Sequence, residues 1–578
     1  DDIIIFDVAI LGAGMSGVSC AREICFALND DDEKNARKVA LLEAHSTVGG
    51  RCKQTKKIAK WPVELGAEFI HGEVKNPVKD LLAETMRREE DLEEDLDGKK
   101  GTPKRMQCSA FEWPDRYAMN TTTTNNSNTE EKEALLYSFS KKSMLVLRDG
   151  DECEKNDKDV WKIHQLFDRL PGVSKTSTTT TTTHNDEPEE DEMSSLSALE
   201  WLRDVQKCTE REIRVAELIY ATDFGASLKD IGMREIMIEK ERWENGEQYL
   251  VMNGGFNELF RRAFLNAFQR NSNSNSNSNN SPVVNIDVRL NWEVETVEKV
   301  DERNLIKVTG RTTTTETSEK KTLYAKKVVV SLPLPMYRPT DDDDSDDKKL
   351  SRVTFHPPLS EEKRKALRAV KMGNAVKVLL GFNEKFWPQE NLFNVICDHP
   401  APFPEFWVVS DKEKTIYSDE DDNNNNNNNN TNEEEESKKE EVRFVITFFV
   451  TGDRANAMAK IDPNERIEMA FQQFVWITMR ITNDDDDGRK EFDRIREKHL
   501  KTSETKAWSE DKFAGGSYTH PSVGCDRKTR DLLAKSEWSD CLFFCGEGTN
   551  ASVNPCLQGA FETGVRAGKE VLESLKLQ

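Results

Sequence analysis

No apolar run in this chain is long enough to span a bilayer, and no secretory-signal pattern is visible. The chain begins at Asp1 without a methionine, so the lack of a leader says little about compartment. It ends in SLKLQ, which is not a terminal SKL address. Cys-x-x-Cys pairs and zinc-ligand spacings are also missing, so no metal centre is expected. The eleven cysteines are an odd number and fit free thiols in a reducing compartment. Cys541 and Cys545 sit in an apolar strand-like run, which favours core packing. Neither an added DNA- or chromatin-binding module nor a long helical hairpin is visible. These absences lead to the expectation of a soluble intracellular protein, in cytoplasm or peroxisome, without a nucleic-acid or membrane partner.

What is present is a long, acidic chain. Its 578 residues exceed one simple core, so two domains are expected. The formal net charge is −24, with acids concentrated at Asp341–Asp344, Glu433–Glu436 and Asp484–Asp487. Such runs read as solvated insertions; the competing reading is a negative field that gathers polycations. Residues 121–128, 178–192, 271–281, 312–315, 341–349 and 419–441 are rich in Thr, Asn, Ser, Asp or Glu. They are too polar to offset the entropy of ordering and are expected to be surface loop expansions.

Between these segments the pattern is regular. Residues 3–11 and 38–43 read as buried parallel strands around a helix at 16–28. The alternation Val284, Ile286, Val288, Leu290, Trp292, Val294 predicts one half-buried strand over 284–294. KVVVSL at 327–332 reads as a buried strand stopped by Pro333 and Pro335. Helical patterns cover roughly 193–220 and 459–481. Strands alternating with helices at both ends imply a doubly wound sheet, with a mixed α+β middle.

The chemistry-bearing motifs stand at the two ends. Gly12, Gly14 and Gly17 follow an apolar strand and open a helix, the context a dinucleotide turn requires. Gly12 permits the turn, Gly14 lets a pyrophosphate approach, and Gly17 lets helix pack on strand. The helix N-terminus and Ser16 face the phosphates. The next strand ends in Glu43-Ala44, where an acid accepts from ribose hydroxyls. The interval exceeds the usual ~20 residues, and polar Asn29–Asn35 reads as a loop insertion that accounts for it. Gly49-Gly50-Arg51 adds close backbone approach and a cation for phosphate charge. At the far end, LFFCGEGTN runs into LQGAFETGVRAG, closing the same site and pointing to FAD.

These motifs, with GAEFIHG (66–72), YLVMNGGFNEL, LNWEVETV, KVVVSLPL, AVKVLLGFNEKFWP and Trp508 followed by AGGSY, run through nearly the whole chain. In that order they resemble the FAD-dependent flavin amine oxidases: monoamine oxidases, polyamine and spermine oxidases, and histone lysine demethylases. GAEFIHG, with its histidine, is most similar to the polyamine and spermine oxidase branch. The resemblance implies an α/β plus α+β fold. A discontinuous Rossmann-like FAD-binding domain (1–80, 240–335, 505–578) would carry a mixed α+β substrate domain (81–239, 336–504).

The resemblance also implies roles. Glu43 would hold the adenosine ribose, Arg51 the pyrophosphate side, and Val294 the adenine. Gly66, Ala67, Glu68 and Phe69 would line the flavin. Gly546-Glu547 would lie at the ribityl-phosphate region, and Cys556 and Leu557 at the pyrimidine end of the ring. Trp508 would pack near the flavin, with ordinary core packing as the alternative. The position of the flavin-linked cysteine in monoamine oxidases is Ser517 here, so FAD is expected to be non-covalent.

The implied reaction oxidises a carbon–nitrogen bond, with O2 as the final acceptor and hydrogen peroxide as product. Lys377 interrupts the apolar run Ala375–Leu380. Periodicity alone reads it as an edge-strand lysine reaching water; the resemblance makes it the lysine that holds a water near flavin N5. Tyr518 would form one wall of an aromatic cage that attracts the amine. The second wall, tyrosine in monoamine oxidases, aligns with Cys556, which argues against a simple monoamine oxidase. His71 would face the substrate amine. Asp223 and Glu217 are candidates for a distal ammonium. The expected substrate is a small polyamine. Other amines (an L-amino acid, a monoamine, methylated lysine) and a catalytically silent flavin scaffold are the alternatives.

Overall fold

The computed structural model describes residues 4–27, 37–94, 108–112, 133–138, 143–146, 157–170, 195–246, 248–252, 254–265, 284–300, 304–314, 318–339, 350, 352–389, 392–397, 401–410, 441–481, 486–552 and 556–576. Most of the polar segments named above, including the acidic runs at 341–344 and 433–436, lie outside them.

The first sheet is doubly wound at its core. Val284–Arg289, Arg37–Leu42, Ile5–Leu11, Lys320–Val330 and Leu542–Phe544 lie side by side in parallel. Leu305–Thr312 and Trp292–Val300 extend it antiparallel, and Thr354–His356 closes that edge. The strand Ile5–Leu11 is apolar on both faces because helices cover one side and the antiparallel extension the other. Helix Met15–Ala27 packs on the C-terminal helix Leu557–Lys576. The contact is close: a Cβ on Gly564 would lie 2.2 Å from the Ser16 carbonyl oxygen. The two ends of the chain therefore meet through small residues.

The second sheet runs in the order Leu500–Ala507, Ala375–Phe382, Phe444–Thr451, Glu405–Ser410, Leu392–Cys397, Glu133–Ser138, Ser143–Val146. Its two faces are separated by strand parity. Val376, Val378 and Leu380 join a core with Phe471 and Phe474 of helix Pro463–Met479. Leu379, on the other parity, packs with Ile58, Trp61, Val63 and Leu65. Ala375 and Lys377 share that second face. A third small sheet pairs Phe69–His71 and Cys108–Glu112 with Gln248–Met252.

Three sequence expectations are corrected. The strand over 284–294 is two strands, because Asn291 takes a left-handed conformation (φ 56°) and turns the chain there. The helix over 193–220 breaks at 206–209, where Thr209 starts a new helix, Glu210–Phe224, with a capping box. Residues 354–370 do not leave the first body at 336. Thr354–His356 pairs with its sheet, and Ala366, Leu367 and Val370 join its core.

Candidate active site

One cavity of about 640 Å³ runs from the ends of the first sheet's strands to the inner face of the second sheet. At the first end the backbone makes the site. Gly12 has φ 98° and donates its N–H to the Leu42 carbonyl at 2.8 Å. A Cβ on Gly17 would lie 1.9 Å from the Gly12 oxygen, so Gly17 packs beneath the turn and does not itself face the cavity. A Cβ on Gly14 meets nothing within 4 Å, so the helix start is open to the cavity. Ser16 bonds Ser331 across the turn at 2.7 Å.

Glu43 is buried just past the strand Arg37–Leu42. It accepts from the amides of Ala13 and His45, both at 2.9 Å. Burial pushes its carboxyl upward, against the lowering effect of those amides. Ala44, Gly50, Val294, Gly546, Cys556 and Leu557 line the same cavity. So do Trp292 and Ser517, whose Nε1 and Oγ are buried with no hydrogen-bond partner among the described residues.

Arg51 sits midway. Its Nη1 donates to Glu547 Oε1 at 2.7 Å and to the Ser517 carbonyl at 2.8 Å. Glu547 also accepts from Thr519 Oγ1 at 2.5 Å. Beyond it, Gly66 is forced by close approach: a Cβ there would lie 1.7 Å from the Arg51 oxygen and 2.9 Å from the Trp508 ring. Trp508 donates its indole N–H to the Leu65 carbonyl at 3.1 Å. It therefore fixes the backbone that carries Ala67, Glu68 and Phe69 along the cavity wall.

At the second end side chains make the site. Directly paired residues share a face of a sheet. Lys377 pairs with Phe449, and Phe449 pairs on its other side with Glu405. This row, with Trp407 two residues along from Glu405, faces the cavity. Lys377 is not on an edge strand: its strand lies between Phe444–Thr451 and Leu500–Ala507, and the residue is 4% exposed. Its Nζ donates to Gly66 O and Glu68 Oε2, both at 2.9 Å, and to Glu64 O at 3.4 Å. The Trp407 indole donates to the other Glu68 oxygen at 3.2 Å. Phe69, Trp407 and Phe449 form an aromatic chain with ring centres 5.7 and 6.0 Å apart.

Tyr518 closes the side of the cavity and donates a long 3.4 Å hydrogen bond to the Thr222 carbonyl. Burial first, then the charges of Asp223 and Glu405, push its phenol well up. His71 lines the cavity at the end of its strand. Of the two distal candidates, Asp223 is in the cavity wall and Glu217 is not. Glu217 instead accepts from the Leu228 amide at 2.9 Å, tying down the loop after its helix.

Sequence reasoning missed Glu405, Trp407, Phe449, Tyr220 and Glu239, all in the wall. For Glu405 and Trp407 a signal existed, since EFWVVS places both on one face of a strand. Among the described residues there is no His/Cys/Asp/Glu group that could hold a metal ion. None of the described helices is long and apolar enough to cross a membrane.

Comparisons with known proteins agree with this geometry. The family model "Flavin containing amine oxidoreductase" matches residues 15–572. Polyamine oxidase 3 of Oryza sativa subsp. japonica is 22% identical over 97% of this chain and 88% of its own length. Lysine-specific histone demethylase 1 homolog 1 of Arabidopsis thaliana is 24% identical over 39% of this chain and 22% of its own length. Among solved structures, wild-type putrescine oxidase bound to putrescine superposes with TM-score 0.63 at 15% identity, covering 99% of this chain and all of its own. Cyclohexylamine oxidase from Brevibacterium oxydans IH-35A has the same fold, with TM-score 0.61 at 14% identity and the same coverage. With a family match from the first helix into the last, the chain belongs to the flavin-containing amine oxidoreductases, and a flavin is the cofactor that membership implies.

Proposed function

We propose that the protein oxidises a carbon–nitrogen bond of a polyamine such as spermine, spermidine or an N-acetyl form, using non-covalently held FAD. The observation that carries the polyamine reading is the acidic wall of the amine end: Glu405, Asp223 and Glu239 border the cavity that Lys377 and Tyr518 enter. A chain of ammonium groups finds successive counter-charges there. The full-length similarity to a rice polyamine oxidase supports the same reading.

The residues present fit FAD. The open helix start at Gly14 suits a pyrophosphate, and the buried Glu43 carboxylate suits ribose hydroxyls. The partnerless Trp292 Nε1 and Ser517 Oγ are polar atoms awaiting a ligand. Val294 would hold the adenine through its backbone, and Cys556 and Leu557 the pyrimidine edge. Ser517, being a hydroxyl, offers no thiolate for a covalent link. FAD, once bound, would supply the two-electron chemistry: the amine's α-carbon would lose a hydride equivalent, and the two electrons would pass with two protons to O2 as hydrogen peroxide.

The protein's own groups bind and orient. Tyr518 and the Phe69–Trp407–Phe449 rings form apolar and π-rich walls that seat the amine and exclude water. His71 is a hydrogen-bond partner for the amine nitrogen. Lys377 is a fixed cation close to the reacting groups; by giving up its long 3.4 Å bond to Glu64 O it would free one N–H to orient the water that hydrolyses the imine to an aldehyde and a shorter amine. Similarity to histone demethylases over part of the chain keeps methylated lysine as the second reading.

The test is product analysis. Purified protein is incubated in air with spermine, spermidine, N-acetylspermine, butylamine, an L-amino acid and a methylated-lysine peptide, and peroxide and amine products are quantified. Peroxide and a shortened amine from polyamines are expected; turnover of the peptide or amino acid alone would overturn the polyamine reading.

A further inference from the structure

Two of the ion pairs in the cavity wall are placed differently. Arg51–Glu547 lies near the cofactor end, at 2.7 Å. Lys377–Glu68 lies at the amine end, at 2.9 Å, with side chains 5% and 8% exposed. A cationic substrate approaching Lys377 meets a like charge unless something cancels it. Glu68 is built to cancel it. One carboxylate oxygen accepts from Lys377 and the other from the Trp407 indole, so the group is held at both oxygens. Lys377 in turn has three protein acceptors, Gly66 O, Glu64 O and Glu68, which match its three N–H groups. The ammonium is thereby pinned, with the Trp407 ring 5.3 Å beneath it.

We propose that Glu68 is a specificity-determining positioning residue. It is the built-in counter-anion of Lys377: by cancelling that cation it leaves Glu405, Asp223 and Glu239 to set the sign of the amine end, so that a cation is admitted and an anion refused. The inference rests on the amine-oxidase reading of this site. It adds that the acidic wall can favour cationic over anionic small molecules only because one carboxylate in GAEFIHG neutralises Lys377.

The test is equilibrium dialysis of the FAD-loaded full chain with two unreactive probes, radiolabelled n-butylguanidinium and benzoate. Glu68→Gln removes the charge and keeps the shape. One uncompensated charge a few ångströms from the probe, at an effective dielectric near 20, shifts affinity by roughly tenfold or more in each direction. Butylguanidinium is therefore expected to bind at least about tenfold more weakly, and benzoate at least about tenfold more tightly, than in the wild type. Glu68→Asp should largely keep the wild-type preference. The double variant Glu68→Gln/Lys377→Met, which removes both charges, should return most of the way to it.

An unchanged preference in Glu68→Gln, including no detectable gain in benzoate binding, would overturn the proposal. If Glu68→Gln alone fails to fold, recovery of a folded double variant supports the counter-ion role, and failure to recover overturns it. Probe binding needs no turnover. A protein whose flavin no amine reduces would sink the amine-oxidase reading and leave this result standing.

Discussion

The two ends of the cavity are built by different means. At the cofactor end the determinants are backbone: the turn at Gly12, the open helix start at Gly14, and amides of Ala13 and His45 on Glu43. These contacts follow from a strand, a turn and a helix in immediate succession. At the amine end the determinants are side chains brought together across the fold. Lys377, Phe449 and Glu405 stand in one transverse row of the second sheet, and Glu68 reaches them from 309 residues away from Lys377. A backbone site tolerates sequence drift around its glycines. A side-chain site is fixed by a few charges, and changing one of them changes what it accepts.

The comparison makes the amine end the more fragile. Lys377→Met leaves the Glu68 carboxylate buried without its cation. Such breaks cost about 3–5 kcal/mol, so a clear fall in the thermal midpoint is expected. FAD should be retained while oxidative turnover drops by roughly 100-fold or more, the usual scale for losing a positioned catalytic group. Stopped-flow rates like the wild type's would remove Lys377 from the chemistry and erase the contrast between the two ends.

At the cofactor end the largest effect should come from Glu43→Ala. It strips the acceptor from the buried Ala13 amide, at about 1–3 kcal/mol, and from the part-buried His45 amide, and removes the carboxylate proposed to hold the ribose. FAD fluorescence released on dilution should reveal affinity weakened by about tenfold or more, with the substrate preference of the remaining holoenzyme unchanged. A changed preference would show that the ends are not separable.

The acidic wall gives a smaller, selective effect. Asp223→Asn and Glu405→Gln should each raise KM for spermine by about tenfold while changing kcat and the KM of butylamine little. Equal losses for both substrates would assign these acids to structure.

The smallest effect is one of pH. Asp511 lines the cofactor end, its carboxylate 2.8 Å from Lys506 Nζ and 3.6 Å from His45 Nε2. Burial acts to raise its carboxyl, but His45 and Lys506 outweigh it and hold the group well below the ordinary range. A depressed carboxyl stabilises the fold above its unfolded value, about 3.9, and loses that contribution as pH falls below it. Between pH 5 and 3 the thermal midpoint of Asp511→Asn should therefore fall less steeply than that of the wild type.

How much was legible in the sequence follows the same division. The cofactor end could be read because its motifs are local: GAGMSG supplies Gly12, Gly14 and Ser16 to the cavity wall, the next strand end Glu43-Ala44, and CGEG Gly546 and Glu547. Gly17 was readable too, as a packing residue. The parity of Ala375–Phe382 was not readable, since Ala375–Leu380 is apolar on both faces but for Lys377, and periodicity alone put that lysine on an edge strand. Nor was the partner of Lys377, because only the register of two sheets and the segment behind Trp508 bring Glu68 to it. Glu217 and Asp223 lie on one helix, and nothing in their spacing says which faces the cavity; the Leu228 amide that claims Glu217 decides it. The alternation over 284–294 misled because the left-handed Asn291 ends one strand and starts another without interrupting the pattern of apolar residues.

The account's central claim is that one cavity joins a flavin-holding end to an acid-lined amine end. Anaerobic mixing of the purified, FAD-loaded protein with spermine, read in the flavin's visible band, tests it most directly. Rapid bleaching by spermine and spermidine, slow bleaching by butylamine, and peroxide on readmitting air are predicted. A flavin that spermine leaves oxidised, or one bleached equally by any amine, would contradict it.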